Sequence, residues 1–306
     1  MEDFRKDQLR KIFRGKLLFN ILLKDFTSFR VGGPAEVIAF PQDQEDLIKL
    51  MQFLREKEIP FLLLGEGTNL VVRDNGVKGV VVKLSSGFLG IEISKGKEEK
   101  FYVNAGAGER LWHLIEVALQ HCLTGLEFAS GIPGSVGGAV VMNAGAYGGE
   151  MKNIVHSLTI LASDNTINRL EKEALRFSYR KLELPAEAIV LTVEVALRSG
   201  NKETIARDIK TILAKRKKKQ PLEFSSAGSV FKNPPGYYAA QVIEESGLKG
   251  YQVGGAQISE RHGNFIVNLG TATAHDILEL VALVQKKVWR EKGIKLEPEI
   301  RVVGER

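Results

Sequence analysis

Three stretches of the chain carry apolar residues three or four positions apart, the spacing of one face of an α-helix. The first follows Asp43, and the third lies between Thr273, a candidate N-cap, and Gly293, a residue type that ends helices. We also expect a short amphipathic helix over residues 1–15, outside the core, and helices over residues 205–219 and 237–245. The apolar positions of the three stretches are Leu47, Leu50, Met51 and Leu54; Leu111, Leu114, Ile115, Ala118 and Cys122; and Ile277, Leu280, Val281, Val284 and Val288.

Short apolar runs bounded by glycine, proline or polar residues predict β-strands between these helices. In the last run Glu299 alternates with Ile300, and a carboxylate so close to apolar neighbours needs water or a partner. The sequence shows no internal repeat and no low-complexity segment. The predicted strands cover residues 36–40, 61–64, 70–72, 80–84, 90–93, 101–104, 155–162, 189–197, 264–268 and 296–303.

The stretch LEFASGIPGSVGGAVVMNAGAYGG, residues 126–149, differs from the rest of the chain because it is rich in glycine. Glycine permits positive φ angles and lets another group approach the backbone closely. Consecutive free N–H groups form a concavity that binds anions, so a ligand that carries a diphosphate would suit this stretch. A glycine-rich surface loop is the alternative, but Ala139, Val140, Val141 and Met142 indicate a buried segment.

A second glycine turn, Gly65-Glu66-Gly67-Thr68-Asn69, follows the apolar run 61–64. Its amides and the side chains of Thr68 and Asn69 could meet a phosphate. It lacks the third glycine of the Rossmann fingerprint and continues as a strand, so by itself it is nearer a hairpin than a binding site. No GxxxxGK[ST] occurs in the chain, which argues against a P-loop (Walker-type) NTPase.

Composition and charge narrow the class of protein. The 306 residues suggest two domains or one large composite domain, and the net charge of +6 favours an anionic partner. The basic run at residues 215–219 has no interleaved aromatic residues, so a small anion is favoured over nucleic acid, and a solvated helix end also explains the run.

A single cysteine, Cys122, excludes an internal disulfide, is expected to be buried on a helix face, and fits a cytoplasmic protein. We find no secretory signal and no apolar run of the ~20 residues that a membrane helix needs.

Four motifs, SFRVGGPA, LLGEGTNLVV, SGIPGSVGGAVVMNAGAYG and SAGSVFKNP, follow one another in this order. Together with FSYR and the terminal LEPEIR, they resemble the UDP-N-acetylenolpyruvoylglucosamine reductase family over residues 20–304. The spacing after Arg180 resembles the shorter class of that family, which lacks an extra insertion.

This resemblance implies an α+β fold. A vanillyl-alcohol-oxidase-type FAD-binding domain would cover residues 20–200, as two α+β subdomains split near residue 85. An N-terminal helix would precede it at residues 1–19, and a substrate-binding domain would follow at residues 201–306. The implied protein is a cytoplasmic monomer that holds FAD non-covalently, takes NADPH as co-substrate and reduces a small sugar nucleotide, without nucleic acid, membrane insertion or metal.

The same resemblance implies the site residues. Arg180 and Glu299 would stabilise negative charge on the substrate, Glu299 as a proton-carrying acid, and Ser229 would donate the proton. The sugar nucleotide would contact Tyr147, Arg216, Lys219, Lys232 and Asn233. FAD would be bound by Arg30, Gly65, Glu66, Gly67, Thr68, Asn69, Leu70, Gly131, Ile132, Pro133, Gly134, Ser135, Gly137, Gly138, Asn143, Ala144 and Gly145.

Two other functions stay open from the sequence. Another FAD-dependent oxidase of the same superfamily is one, although such enzymes often tether FAD through a histidine or cysteine and the glycine-rich stretch has neither. A basic, non-enzymatic nucleotide or nucleic-acid binder is the other, and it predicts a colourless protein whose affinity for oligonucleotides depends on salt. His113 and His121 lie eight residues apart without a third ligand nearby, so a metal site is not expected.

Overall fold

The computed structural model of the protein describes residues 3–97 and 99–306, with side chains from residue 7 onward. Within these residues the helices are α1 (Asp3–Ile12), α2 (Gln44–Glu56), α3 (Leu111–Gln120), α4 (Val136–Val141), α5 (Lys202–Lys219), α6 (Ala239–Glu245) and α7 (Ala274–Lys292). The strands are β1 (Lys16–Leu22), β2 (Pro34–Phe40), β3 (Phe61–Leu64), β4 (Leu70–Val72), β5 (Val77–Lys83), β6 (Ile91–Lys95), β7 (Lys100–Gly106), β8 (Leu123–Thr124), β9 (Gly145–Ala146), β10 (Gly149–Glu150), β11 (Val155–Leu161), β12 (Ile167–Glu171), β13 (Arg176–Ser178), β14 (Lys181–Glu183), β15 (Ile189–Ser199), β16 (Gln252–Val253), β17 (Ala256–Ile258), β18 (Ile266–Asn268) and β19 (Arg301–Val303).

The chain divides into two compact units, and each is built from several separate segments. Unit 1 comprises residues 1–18, 38–65 and 81–215, and unit 2 comprises residues 19–37, 66–80 and 216–306. The domain boundaries expected from the sequence, near residues 19, 85 and 200, remain predictions. Of the helices described, none is long and apolar enough to cross a membrane.

A six-stranded antiparallel sheet forms the centre of unit 1. Its order is β12-β11-β15-β7-β6, with β8 paired to the far end of β15. The long strand β15 buries every second side chain along most of its length, as a strand with one face on a core should. Helices α3 and α4 cover that face, and Leu114, Val140 and Val193 are completely buried in the shared core.

Unit 2 is organised around α7 and the small sheet β16-β17-β18. Thr273 caps α7 as the sequence predicts, since its hydroxyl accepts a hydrogen bond from the N–H of Asp276 at 3.1 Å. Gly293 ends the helix with a left-handed φ of 66°, which confirms the predicted end. The apolar face of α7 packs on the sheet, with Leu280 and Phe231 almost fully buried in the core.

The N-terminal helix differs from the prediction in its surroundings. Helix α1 forms within the expected residues, but Leu9 is completely buried and Phe13, just after the helix, is 7% exposed. The helix packs against α2 within unit 1. The expectation that this helix lies outside the core is therefore wrong, because its apolar positions have a neighbouring helix to bury against.

Three further expectations about local structure are corrected. The last strand begins at Arg301 rather than near residue 296, and Pro298, which cannot donate to a ladder, makes only an isolated bridge with Phe231. Cys122 lies beyond the end of α3, with a φ of 56°, and is half-buried. The Gly65 turn does not close a hairpin, since β3 joins the sheet β1-β2-β5-β3 whereas β4 pairs in parallel with β19.

Candidate functional site

The glycine-rich stretch folds into tight turns around the short helix α4. A 3-10 turn at Glu127–Ala129 leads into Gly131 and Gly134, whose φ angles of 76° and 139° favour glycine. Ser135 then caps α4, because its hydroxyl accepts a hydrogen bond from the N–H of Gly138 at 3.2 Å. The backbone conformation by itself therefore requires glycine at Gly131 and Gly134, two of the glycines that are predicted to bind FAD.

Gly137 has no room for a side chain. Its N–H donates to the carbonyl of Ala107 at 2.9 Å. A Cβ at this position would lie 2.9 Å from the Cβ of Ala107 and 3.0 Å from its carbonyl oxygen. Helix α4 therefore rests directly on the backbone that follows β7, and Gly137 serves packing within unit 1 whatever ligand lies nearby.

The two segments predicted to bind FAD meet at Gly65 in unit 1. A Cβ on Gly65 would lie 2.7 Å from the Oγ of Ser135, so the end of β3 and the start of α4 are in contact. Lys83, the last residue of β5, donates from Nζ to the carbonyl of Gly65 at 2.5 Å. A lysine at the end of an apolar run ordinarily reaches solvent. Nothing in the sequence therefore predicts that the ammonium of Lys83 lies beside the Gly65 turn.

Ser130 provides a test of whether the stretch suits a phosphate-bearing cofactor. It is 2% exposed, and its hydroxyl has no hydrogen-bond partner in the described part of the chain. Buried hydroxyls almost always have a partner, so this one indicates a polar ligand. Bare main chain at Gly131 and Gly134 and the hydroxyl of Ser130 are groups that could meet a diphosphate. The ammonium of Lys83 lies at Gly65, which contacts Ser135 at the start of α4. These residues fit FAD.

Residues 66–70 of the second glycine turn belong to unit 2. Gly67 has a φ of 64°, and a Cβ there would collide with the carbonyl oxygen of Phe26, so only glycine fits. Asn69 donates from Nδ2 to the carbonyl of Glu299 at 3.1 Å, and its own carbonyl accepts from the N–H of Arg301 at 2.9 Å. Asn69 therefore supports the segment that carries Glu299.

Arg180 lies at the tip of the hairpin formed by β13 and β14 in unit 1. Its φ of 59° is in the left-handed region, which bulky residues rarely adopt. Its guanidinium donates from Nη1 to the carbonyl of Gly145 at 3.1 Å and lies 5.2 Å from the ring centre of Tyr179. Tyr147, also in unit 1, is 47% exposed and has a φ of 51°. Two residues predicted to act on substrate thus share an unusual backbone conformation.

Ser229 and Glu299 lie on segments of unit 2 that pair through the main chain. The N–H of Glu299 donates to the carbonyl of Val230 at 2.8 Å. On the opposite side, Ser229 forms an isolated bridge with Phe265. Both Ser229 and Glu299 are partly exposed. The segments that carry two of the three predicted catalytic residues are therefore paired, although they are far apart in the sequence.

Asn264 fixes the segment that follows Ser229. Its Oδ1 accepts from the N–H of Phe231 at 2.9 Å, and its Nδ2 donates to the carbonyl of Phe231 at 2.8 Å. The N–H of Asn264 donates to Nδ1 of His262 at 3.2 Å, so that imidazole nitrogen must be unprotonated. Burial lowers the pKa of His262, which favours the neutral form that this hydrogen bond needs.

The remaining predicted substrate residues are engaged within the protein or exposed. Lys232 forms an ion pair with Glu297 at 2.5 Å, and Oδ1 of Asn233 accepts from the N–H of Ala239 at the start of α6 at 3.0 Å. Arg216 is half-buried in the last turn of α5, Lys219 is exposed at its end, and their substrate roles remain predictions. Arg30, which is predicted to bind FAD, is exposed with a φ of 55°, and its role also remains a prediction.

Glu109 is a buried carboxylate that no motif or spacing in the sequence singles out. Burial would raise its pKa, but hydrogen bonds from the imidazole of His113 and from the N–H groups of Gly90 and Arg110 outweigh this effect and lower the pKa. Its main-chain carbonyl accepts from Val136 at 2.7 Å, so the residue anchors the start of α4. No cluster of three or more potential metal ligands occurs among the described residues.

Two families match separate parts of the chain. Residues 35–171 match the family described as FAD binding domain, and residues 220–303 match UDP-N-acetylenolpyruvoylglucosamine reductase, C-terminal domain. These matches confirm the predicted fold class, an FAD-binding domain and a C-terminal domain of mixed helices and strands. FAD is therefore the cofactor of this chain, and the protein is an oxidoreductase.

Whole-chain relatives carry the same family name. UDP-N-acetylenolpyruvoylglucosamine reductase from Caldanaerobacter subterraneus subsp. tengcongensis is 48% identical over 308 residues and covers 100% of both chains. That from Syntrophus aciditrophicus is 48% identical over 302 residues, 99% of this chain and 96% of the relative. The crystal structure of the reductase from Thermus caldophilus superposes with a TM-score of 0.81 at 41% identity, over 94% of this chain and 98% of that one. The chain therefore belongs to the UDP-N-acetylenolpyruvoylglucosamine reductase family.

Proposed function

We propose that this protein reduces the enolpyruvyl ether of UDP-N-acetylglucosamine to UDP-N-acetylmuramate, a step in the synthesis of peptidoglycan precursors. The observation that carries the proposal is the full-length similarity to reductases of this name at 48% identity. The pairing of the Ser229 and Glu299 segments in unit 2 supports it, because a proton donor and an acidic group would be needed close together.

The proposed reaction is balanced by NADPH, which is oxidised to NADP⁺. A hydride adds to the methylene carbon of the substrate and a proton adds to the neighbouring carbon, so the carbon–carbon double bond becomes a single bond. FAD held at the glycine-rich stretch by Gly131 and Gly134 would supply the chemistry of hydride transfer between NADPH and the substrate. Addition of the hydride shifts negative charge towards the substrate carboxylate, and the protein must stabilise that charge and supply the proton.

Three side chains are proposed for these tasks. The Arg180 guanidinium would stabilise the developing charge, since a fixed cation lowers the free energy of a transition state more than mobile water does. Glu299, in its protonated form, would donate a hydrogen bond to the same group. Ser229 would donate the proton, although a serine hydroxyl is a weak acid and needs a dry, charged surrounding to act. Tyr147, Arg216, Lys219, Lys232 and Asn233 would bind the sugar nucleotide.

We further propose that the enzyme acts as a cytoplasmic monomer on its small-molecule substrate. The substrate and NADPH are both anionic, which agrees with the net charge of +6. The basic end of α5, where Arg216 and Lys219 lie, would attract them.

The proposal is tested with the purified holoenzyme under anaerobic conditions. The flavin absorbance should bleach on addition of NADPH and return on addition of UDP-N-acetylglucosamine enolpyruvate, with UDP-N-acetylmuramate as product. A protein without flavin absorbance, or a reduced flavin that this substrate does not reoxidise, would contradict the proposal.

The role of Ser229 has its own test. Ser229→Ala should leave flavin reduction by NADPH near the wild-type rate but slow reoxidation by the substrate by at least about 10³-fold, because general acid catalysis contributes up to roughly 10⁴-fold. Ser226→Ala, at a half-buried serine of the same loop, is the matched control and should reoxidise normally. Normal reoxidation of the Ser229 variant would remove this residue from the proposed role.

A further inference from the structure

Two hairpins of unit 1 carry bulky residues in left-handed backbone conformations. In the hairpin of β9 and β10, Tyr147 and Gly148 form the turn with φ angles of 51° and 86°. In the hairpin of β13 and β14, Arg180 occupies the turn with a φ of 59°. Such conformations persist only where the surrounding structure holds them in place.

Asn143 is the buried group that joins the two hairpins. Its side-chain Nδ2 donates to Oε2 of Glu150 at 2.8 Å and to the carbonyl of Ser178 at 3.0 Å. Its Oδ1 accepts from the N–H of Lys152 at 3.0 Å. Both amide hydrogens of Asn143 are therefore used within the protein, and its relative exposure is 0%.

A second hydrogen bond joins the same two parts of the chain, but here the donor belongs to the hairpin of β13 and β14. Nη1 of Arg180 donates to the carbonyl of Gly145, which lies in β9 just after Asn143. Ser178, which accepts from Asn143, is the last residue of β13 before the turn. The Arg180 turn is thus tied to the glycine-rich stretch at its base by Asn143 and at its tip by Arg180 itself.

Glu150 and the N–H of Lys152 together determine the orientation of the Asn143 amide. An ionised carboxylate can only accept hydrogen bonds, so Nδ2 and not Oδ1 must face it. That orientation leaves the second N–H directed at the carbonyl of Ser178. Asn143 also has a φ of 41°, and asparagine is among the few residues other than glycine that tolerate this region.

We propose that Asn143 is a positioning residue that sets the location of Arg180, with Glu150 orienting it, rather than a residue whose side chain contacts FAD. The proposal rests on the proposed function, because the position of Arg180 affects the reaction only if Arg180 stabilises the charge that forms on the substrate. The hydrogen-bond geometry that carries it does not depend on that function.

The first experiment is independent of catalysis. Asn143→Asp removes the donor to Ser178 and places a second carboxylate against Glu150. Hydrogen–deuterium exchange of the FAD-loaded protein, without substrate or NADPH, should become at least about tenfold faster in residues 176–183, while the sheet strands β7 and β15 keep wild-type protection. Unchanged exchange in residues 176–183 would overturn the proposed tie.

The second experiment measures the two half-reactions and FAD binding. In the holoenzyme, Asn143→Asp should slow reoxidation by UDP-N-acetylglucosamine enolpyruvate about 10²-fold, the order of loss produced by misplacing a catalytic group. The dissociation constant of FAD and the rate of flavin reduction by NADPH should change less than about threefold. A large loss of FAD affinity would instead indicate direct contact with the cofactor and overturn the proposal.

A double-mutant cycle tests whether Asn143 acts through Arg180. In an Arg180→Ala background, Asn143→Asp should cause no further loss of reoxidation rate, since the group it positions is gone. Additive losses would overturn the proposal. Wild-type enzyme that fails to reoxidise with this substrate would contradict the proposed function alone, and the exchange experiment would still decide the structural tie.

A milder variant keeps the proposal falsifiable if Asn143→Asp does not fold. Glu150→Gln keeps an acceptor of the same size but removes the charge that orients the Asn143 amide. Reoxidation should slow by about threefold to tenfold with FAD affinity unchanged. Asn153→Ala, which removes an exposed side chain bonded to the N–H of Glu150 at 3.0 Å, is the matched control. Equal rates in the two variants would overturn the proposal.

Discussion

Arg180 illustrates at the scale of one residue how a backbone conformation and a chemical role meet. A left-handed non-glycine residue costs of order 1–3 kcal/mol, so the surrounding structure must supply that energy. Here the hairpin, the Gly145 carbonyl and the ring of Tyr179 all contact the residue or its side chain. Leu182, in the same hairpin, is 4% exposed and packs in the core of unit 1. The turn is therefore anchored on both of its sides.

For Arg180 we expect a loss of turnover rather than of affinity. Arg180→Ala should lower kcat for substrate reduction by about 10²-fold to 10³-fold and change the substrate dissociation constant by less than about tenfold, because the charge it stabilises forms only after hydride transfer. Arg176→Ala, at an exposed arginine of the same hairpin, is the control. Stopped-flow kinetics and equilibrium titration separate the two quantities. Loss of affinity with normal turnover would contradict this role.

His262 makes stability depend on pH. Its folded-state pKa is lowered by burial, so the unfolded chain binds the proton first as pH falls. The contribution of His262 to the free energy of unfolding is complete above its pKa in the unfolded chain, about 6.5. It is lost as pH falls through the pKa of His262 in the folded protein. His262→Asn keeps an acceptor for the N–H of Asn264 and should flatten this part of the pH dependence. Urea unfolding between pH 7.5 and about 5 measures it. A slope equal to that of wild type would contradict the assignment.

At the scale of elements, α4 shows why the glycine-rich stretch is not a flexible loop. The helix is short and its burial is extensive, with Val136 and Val140 at 0% exposure. Main-chain contact with Ala107 fixes it to the end of β7. A Cβ added to Gly137 would meet the main chain and the methyl group of Ala107. These atoms cannot move aside as the end of a long, flexible side chain would.

Gly137→Ala should therefore destabilise the protein by about 2 kcal/mol, the typical cost of overpacking a tight contact. Gly138→Ala is the matched control on the same helix. Its added Cβ would lie 3.1 Å from a single atom, the hydroxyl oxygen of Ser135, and alanine favours helix, so we expect a change below about 1 kcal/mol. Denaturant unfolding of the two apoproteins gives both values. Equal stability of the two variants would show that α4 can move away from Ala107.

At the scale of the whole molecule, membership of the reductase family excludes the two functions that the sequence left open. Relatives of this name cover the full chain, whereas another flavin oxidase of the same superfamily or a nucleic-acid binder would not be matched by these reductases from end to end. The FAD-binding match spans residues 35–171 and thus includes residues of both compact units.

We expect FAD to be bound without a covalent bond. The glycine-rich stretch from residue 126 to residue 149 contains no histidine or cysteine, the residues that usually tether flavin. Precipitation of the holoenzyme with acid should leave the yellow colour in the supernatant. A yellow pellet that withstands washing would indicate a covalent flavin and contradict the expectation.

The sequence by itself determined what depends on local physics. Apolar spacing located α2, α3 and α7, and the cap at Thr273 and the stop at Gly293 defined the ends of α7. The motif order identified the family, because matched short patterns across the whole chain are specific where each one alone is weak. Roles for Arg180, Ser229 and Glu299 came from that resemblance and remain proposals.

Only the tertiary structure decided what depends on contacts between distant segments. Leu9 is buried because α2 lies beside it, and Lys83 meets the Gly65 carbonyl because β5 and β3 are neighbours in one sheet. The pairing of Glu299 with Val230 and the ties that Asn143 makes to Ser178 also join residues far apart in the chain. No local pattern encodes them, since the free energy of such contacts is set by which surfaces the folded chain brings together.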